Sequence, residues 1–462
     1  MIRTDVMSLQ DMINRGIERA HTTVKEVLVS YTEKVTTEDP FLVFERARAL
    51  KQNRTFWKSA TEDFYVITVG ENMHIRAHDK TRYEYTYQTW DHLRKEAMIY
   101  NPYEQEGTGL IISGGMSFDI LEEKTKLWEK YPHSEFIVPK YVYTKQDDHA
   151  YVTTIIQVTK DSSAEELAEK SSQSKKQLLT KQIDDVQQAR LTEQTEKEPE
   201  LWKEKVGQAI DHINCGHAEK IVMARELRLT FDADVELLPI LRKLAKLQRT
   251  SYLFAYERGD HCFIGATPER LVKVNGHQLL STCLAGTYPR GESKEEDDRL
   301  KRALFEDDKN RLEHDHVVQM IRDSISAHCM ELHIPDEPEV IRLKNVHHLY
   351  TPVEGELKKD SSVFDIIQKL HPTPALGGAP TEEALHFIRE HETFERGWYG
   401  SPVGWLDDRH NGEFAVAIRS GLIQNDEMSL FAGCGVMGDS DVEEEYEETA
   451  IKFLPMLTAL ED

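Results

Sequence analysis

Between Glu443 and Lys452 the chain sets Glu443, Glu444, Glu445, Glu447 and Glu448 among strong helix formers. On a helix Glu445 and Glu448 share a face, and Lys452 stands four residues beyond Glu448 on that face. Carboxylates crowded in this way repel one another unless a cation neutralises them. The segment therefore suits a wet acidic surface with one Glu-to-Lys pair, or one wall of a metal site. Two features favour the second reading: Gly433-Cys434-Gly435 lies just upstream after a strand, and a second acid-rich helix carries Glu313-His314-Asp315. Two helices giving one carboxylate each would suit Mg²⁺, which takes one or two carboxylates and leaves the other positions to water and an anionic substrate.

Two further candidates are less telling alone. Lys220 heads Lys220-Ile221-Val222-Met223-Ala224-Arg225, an alternating stretch in which it could be a solvated surface lysine or a base. Glu269, in Ala266-Thr267-Pro268-Glu269-Arg270, follows a turn and could simply pair with Arg270. Two loops are stiff yet let backbone approach a ligand: residues 371–380, with three prolines and two glycines, and Leu284-Ala285-Gly286-Thr287. No Walker loop, GxSxG elbow, HExxH or GxGxxG occurs, which removes the main support for the common nucleotide, hydrolase, zincin and dinucleotide classes.

The elements that must hold these residues follow from periodicity. Residues from about 25 to 160 alternate apolar and polar side chains, as in Phe64-Tyr65-Val66-Ile67-Thr68-Val69, the pattern of strands with one buried face. Residues 161–205 are polar, without glycine up to Lys205, and predict a helical connector carrying Leu167, Leu178, Leu179, Ile183 and Val186. Asn275-Gly276 between two apolar runs predicts a hairpin. A second Asn-Gly, at 411 and 412, leads from Trp405 into a strand over residues 413–419. One helix is expected from about Leu300 to His328, another from Thr381 to Glu390. Hairpins grouped with long helices predict an α+β fold of large antiparallel sheets sandwiched between helices. The division expected is an N-terminal sheet-forming half, residues 1–200 with the connector, and a catalytic region over 205–460, together one compact body.

The chain has 462 residues and a formal charge of −25, and 39% of its residues are hydrophobic. That excludes a disordered chain, and so acidic a surface repels nucleic acid. No uncharged apolar stretch approaches the ~20 residues that a bilayer crossing needs. Met1-Ile2-Arg3-Thr4-Asp5 lacks the apolar run of a signal peptide, and five cysteines without a CxxC pair suit small buried hydrophobes in a reducing compartment. The expectation is a cytoplasmic protein; nothing in the sequence speaks to oligomeric state.

Ten segments in one order carry a resemblance: KIVMAR from Lys220, GATPERL from Gly265, CLAGTYPRG from Cys283, DKNRLEHD from Asp308, HHLYTPVEG from His347, HPTPALGG from His371, RGWYGSPVGW from Arg396, EFAVAIRSG from Glu413, AGCGV from Ala432 and EEYEETAIK from Glu444. Together they resemble the chorismate-utilising enzymes, and among these the isochorismate synthases of quinone-forming bacteria. The resemblance implies Mg²⁺-dependent isomerisation of chorismate, with water added at C2 and the C4 hydroxyl lost. It implies Lys220 as general base, Glu269 as general acid, Glu313 and Glu448 as metal ligands, and Glu445 as a second or water-mediated partner. Arg419, Tyr399, Lys452 and the backbone at Gly435 fall where the family holds the substrate's carboxylates. Gly286, Thr287, His348, Ala375 and Leu376 fall along the same pocket.

Within the family, Lys220 and Ala285 favour water over ammonia as nucleophile. Ala375 stands where salicylate synthases tend to carry threonine, and Asn310 is found among isochorismate synthases. Asp441 departs from the proline common in relatives. The alternatives to isochorismate formation are a salicylate synthase, which also eliminates pyruvate, and a catalytically inactive relative.

Overall fold

The computed structural model describes residues 7–183, 186–342 and 346–461. Met1 to Asp5 lie outside the described residues, as do positions 184–185 of the connector.

Two large sheets dominate. The first runs, edge to edge, through strands 191–196, 220–231, 427–436, 420–424, 261–267, 252–258, 54–58, 64–69, 141–146, 149–158, 27–35 and 98–100, with 378–379 added beside 220–231. The second runs through 329–333, 346–357, 278–289, 270–275, 412–416, 402–407, 111–116, 134–138 and 73–77, with 339–342 also paired to 346–357. Pairing is antiparallel except between 27–35 and 98–100. Strands from before and after residue 200 share both sheets: Phe56 faces Ala255 in one, and Ser113 faces Trp405 in the other.

The two sheets pack on each other through an aromatic core that includes Trp57, Trp128, Tyr131, Phe254, Phe263, Trp398 and Trp405. Rings interlock edge to face, as Trp128 does with Tyr131 (5.7 Å between centroids) and Phe263 (5.2 Å), a geometry suited to aromatic quadrupoles. The outer face of the first sheet is covered by helices that supply Val43, Phe44, Ile240, Leu241, Leu244, Phe453 and Met456. The architecture is the α+β sandwich expected. No helix among the described residues is long and apolar enough to cross a membrane.

The Asn275-Gly276 hairpin forms with Asn275 opposite Gln278, and Gly276 takes the positive φ (59°) that the tight turn requires. Three expectations are corrected. The single helix over 300–328 is two, Lys294–Glu306 and Asp308–Ile325. Asp307 takes ψ 107° between them, and its carboxylate accepts the amide of Asn310, starting the second helix afresh. The connector is not helical throughout: after Ala164–Thr180 comes an exposed edge strand, Leu191–Glu196, paired with the strand 220–231, and then the helix Pro199–Asn214. Its Thr and Glu side chains leave a polar edge that discourages further pairing. Finally, the strand after Asn411-Gly412 stops at Val416, because Arg419 takes φ 50° and the chain crosses into the other sheet at Ser420.

Candidate active site

The crossover at Arg419 has a counterpart. The strand His261–Thr267 belongs to the first sheet and Arg270–Asn275 to the second, with Pro268 and Glu269 between them. The two crossovers lie side by side and are stitched together: the Ala266 amide donates to the Arg419 carbonyl (3.0 Å), and the Val416 amide donates to the Glu269 carbonyl (3.0 Å). One carboxyl and one guanidinium are thereby fixed at the seam between the sheets.

Neither side chain is paired with a described residue. Loss of water pushes the Glu269 carboxyl up to about 7, against the pull of Arg419 and Lys452. Burial also lowers the Arg419 guanidinium from its ordinary value, opposed by Tyr399, Glu269 and Glu448. A mostly buried arginine without a counter-ion is costly unless an external anion completes it, and its planar fork suits a carboxylate. Tyr399 is buried beside it, with its phenol raised to about 12 by burial, and its hydroxyl bonds to no described residue.

Lys220 opens the strand 220–231, with Ala379 opposite on one side, and on the other Gly435 stands opposite Val222, two residues along. Its stem runs across Gly435: a Cβ there would stand 2.5 Å from Lys220 Cε and 3.1 Å from Nζ. The glycine is therefore needed as a slot for the lysine. The Lys220 amine makes no hydrogen bond or ion pair with a described residue.

The C-terminal helix Val442–Leu460 follows the strand 427–436 that carries Gly435, and Asp441 is its cap, accepting the amides of Glu443 (2.9 Å) and Glu444 (3.1 Å). Asp441 thus serves this helix as a capping carboxylate. Lys452 donates to the Gly433 carbonyl at 2.7 Å and pairs with Glu448. Glu445 accepts from Ser440 Oγ through Oε1, while its buried Oε2 has no partner.

Glu313 is exposed on the helix Asp308–Ile325 and bonds to no described side chain. Its neighbour His314 is fully buried and anchors that helix to the second sheet through Thr351 Oγ1 (2.7 Å) and the Ala285 carbonyl (3.2 Å). Burial pushes the nearby Cys283 thiol up to about 12, helped by Glu269, Asp315 and Glu313. Glu313 and Glu448 thus approach the Glu269 neighbourhood from different helices. Among the described residues no three His, Cys, Asp or Glu side chains form a metal cage. An orphaned carboxylate oxygen, an uncommitted glutamate and all-oxygen donors fit a hard dication that keeps most of its shell for water and substrate.

Gly286 (φ 77°) forms a bulge opposite the strand 346–357, and a Cβ there would press on Asn310 and Leu349. His348 Nδ1 lies 2.9 Å from Thr287 Oγ1 and 3.2 Å from the Gly286 carbonyl. Burial, with Arg419 nearby, lowers this imidazole from its ordinary value. Ala375 is exposed, and Leu376 is buried in the inter-sheet core.

One buried pair was not singled out from sequence. Arg396, 1% exposed, pairs with Glu392 and donates to the carbonyls of Leu376 (2.8 Å) and Val222 (2.7 Å). Glu392 in turn accepts the Ala224 amide at 2.7 Å. The pair ties the strand of Lys220 to the 371–377 loop. An arginine within the aromatic run Phe394 to Tyr399 is the signal that marks it.

Residues 15–461 match the family model described as chorismate binding enzyme. The chain is 37% identical to the isochorismate synthase MenF of Bacillus subtilis over 468 aligned positions, covering 100% of this chain and 99% of that protein. It is 31% identical to the salicylate biosynthesis isochorismate synthase of Pseudomonas aeruginosa, covering 98% and 94%. In fold it is similar to the menaquinone-specific isochorismate synthase MenF of Escherichia coli, with a TM-score of 0.78 at 22% identity, covering 97% and 100%. A match of this extent, on a chain whose two sheets meet at an unpaired acid and an unpaired arginine, leaves one conclusion: the protein belongs to the chorismate binding enzyme family.

Proposed function

We propose that the protein is a Mg²⁺-dependent isochorismate synthase of the cytoplasm, supplying isochorismate to menaquinone formation. The observation that carries this reading is Glu269: a carboxyl poised near neutrality beside a guanidinium that lacks a counter-anion. At pH 7 such a group is protonated in a large fraction of molecules and can deliver its proton to a departing hydroxyl.

Chorismate is a dianion, and Arg419 and Lys452 offer it fixed positive charge in a protein of net charge −25. Tyr399, His348, Thr287, Ala375, Leu376 and the backbone at Gly286 and Gly435 complete the substrate's surroundings. Glu313 and Glu448, with Glu445 behind them, would hold Mg²⁺, which supplies positive charge to the ring carboxylate when bound. Lys220 takes a proton from water as its oxygen bonds to C2. The ring double bonds shift, the C4–O bond breaks, and Glu269 protonates the leaving oxygen. One water enters and one leaves, so no redox partner is needed. The free state of all five cysteines, four of them buried, supports a reducing compartment.

The test is to incubate the full chain with chorismate and Mg²⁺ and to separate the products chromatographically. Isochorismate without pyruvate is expected. Salicylate with pyruvate, or no turnover at any Mg²⁺ concentration, overturns the proposal.

A further inference from the structure

The helix Asp308–Ile325 and its cap meet the strand Gln278–Pro289 at three points in a row. His314 Nδ1 donates to the Ala285 carbonyl (3.2 Å), the Thr287 amide donates to Asn310 Oδ1 (3.3 Å), and the Tyr288 hydroxyl donates to Asp307 Oδ2 (2.9 Å). Positions 307, 310 and 314 are three and four residues apart, so they share one side of the helix. The first two bonds straddle Gly286, the extra residue of the bulge: Ala285 stands opposite Leu349 and Thr287 opposite His348. A bulge interrupts the ladder, and here helix side chains take up backbone groups on both sides of the gap.

The chemistry at position 310 is narrowly specified. A carboxylate at 307 only accepts and the Thr287 amide only donates, so a side chain between them must donate on one side and accept on the other. Asn310 does both, its Nδ2 donating to Asp307 Oδ1 at 3.1 Å while its Oδ1 serves Thr287. Its backbone amide donates to the same Asp307 oxygen at 2.7 Å. These bonds, with that of Tyr288, hold the Asp307 carboxyl below its ordinary value, so a second carboxylate at 310 would face a standing negative charge. The amide also lies against the bulge, since a Cβ on Gly286 would stand 3.2 Å from Asn310 Oδ1.

We propose that Asn310 is a positioning residue of the reaction: with His314 it fixes the helix that carries Glu313 in register with the bulge whose Thr287–His348 pair faces the substrate. This rests on the function proposed above for Glu313, Thr287 and His348. Glu313 lies between the two grips, and Thr287 Oγ1 is 2.9 Å from His348 Nδ1, so one amide side chain ties the metal side of the site to the substrate side. A role confined to the helix makes the opposite forecast. Position 310 is the third of the helix, where an acid is favoured by the helix dipole and by capping, so Asn310→Asp would then be harmless or stabilising. As a grip, the aspartate keeps the shape but loses the donor and is repelled by Asp307.

The test compares the full chain with Asn310→Asp, Asn310→Ala and, as a control at the neighbouring exposed position, Lys309→Ala. Hydrogen exchange over residues 285–289, read by mass spectrometry without Mg²⁺ or chorismate, should be several-fold faster in both Asn310 variants. Asn310→Asp should melt no lower than the parent. Its KM for chorismate and its Mg²⁺ concentration for half-maximal activity should nonetheless both rise, by roughly five- to tenfold, the worth of one hydrogen bond. Lys309→Ala should match the parent throughout. Parent-like exchange and KM in Asn310→Asp overturn the proposal, as does a lowered melting temperature with KM unmoved. A parent that does not act on chorismate would overturn the proposed function instead, and the exchange rates would still decide the grip.

Discussion

Gly435→Ala separates the positioning of Lys220 from the stability of the fold. The added Cβ would stand 2.5 Å from Lys220 Cε, against the 3.4–4 Å of ordinary contact, so the lysine stem must move by about 1 Å. What it meets is the far end of a flexible side chain, and Gly435 sits in a strand without positive φ, so alanine fits the backbone. Stability should therefore change little, by less than ~1 kcal/mol. Catalysis is less forgiving: a misplacement of about 1 Å costs on the order of 10²-fold in rate, or about 2.7 kcal/mol of barrier. Steady-state kinetics on chorismate, with isochorismate followed chromatographically, should show kcat reduced by roughly 10²-fold with the melting curve unmoved. A kcat within about threefold of the parent would refute the view that the glycine exists to seat this lysine.

Lys220→Gln should abolish turnover, by about 10²–10⁴-fold, while equilibrium binding of chorismate persists; near-normal turnover rejects Lys220 as the base. Glu269 keeps its proton longer in the folded chain, about 7 against an ordinary 4.5, so its contribution is full at low pH and lost as pH rises through about 7. Glu269→Gln should then be inactive yet more stable than the parent at pH 8, by on the order of 1–3 kcal/mol, and no more stable at pH 4; urea melts at both pH values decide it. Glu448→Ala should raise the Mg²⁺ concentration for half-maximal activity and lower the maximum, and an unchanged titration removes it from the metal site. Arg396→Gln strands a buried Glu392 and should cost about 3–5 kcal/mol in denaturant unfolding, a loss that would be absent if the pair were incidental.

Periodicity and turn chemistry made the sheets readable, because each hairpin strand carries its own alternation and Asn275-Gly276 announces its own turn. Failures came where a few local atoms or a distant partner decide the outcome. The break at Asp307 rests on one capping carboxylate within a continuous apolar pattern. The strand 191–196 exists because residues 227–231 offer it an edge, and its own polar composition argues for neither strand nor helix. The proposed site residues were named from ordered motifs, whereas the stitching of Arg419 to Ala266 joins positions over 150 residues apart and leaves no local trace. Arg396 and Glu392 were missed for a related reason: beyond an arginine set in an aromatic run, their bonds to distant backbone carbonyls and an amide carry no sequence signature.

The paired crossovers have a kinetic corollary. Each of the two backbone bonds extends a ladder of its own sheet, beyond Gly265 and Ser420 in the first and beyond Arg270 and Ala415 in the second, so the acid and the guanidinium ride on strand ends and not on a loop free to swing. Amide protons at Ala266 and Val416 should then exchange with water at the pace of the strand pairs they prolong. Fraying of either ladder end would release one of the two groups and leave the other seated.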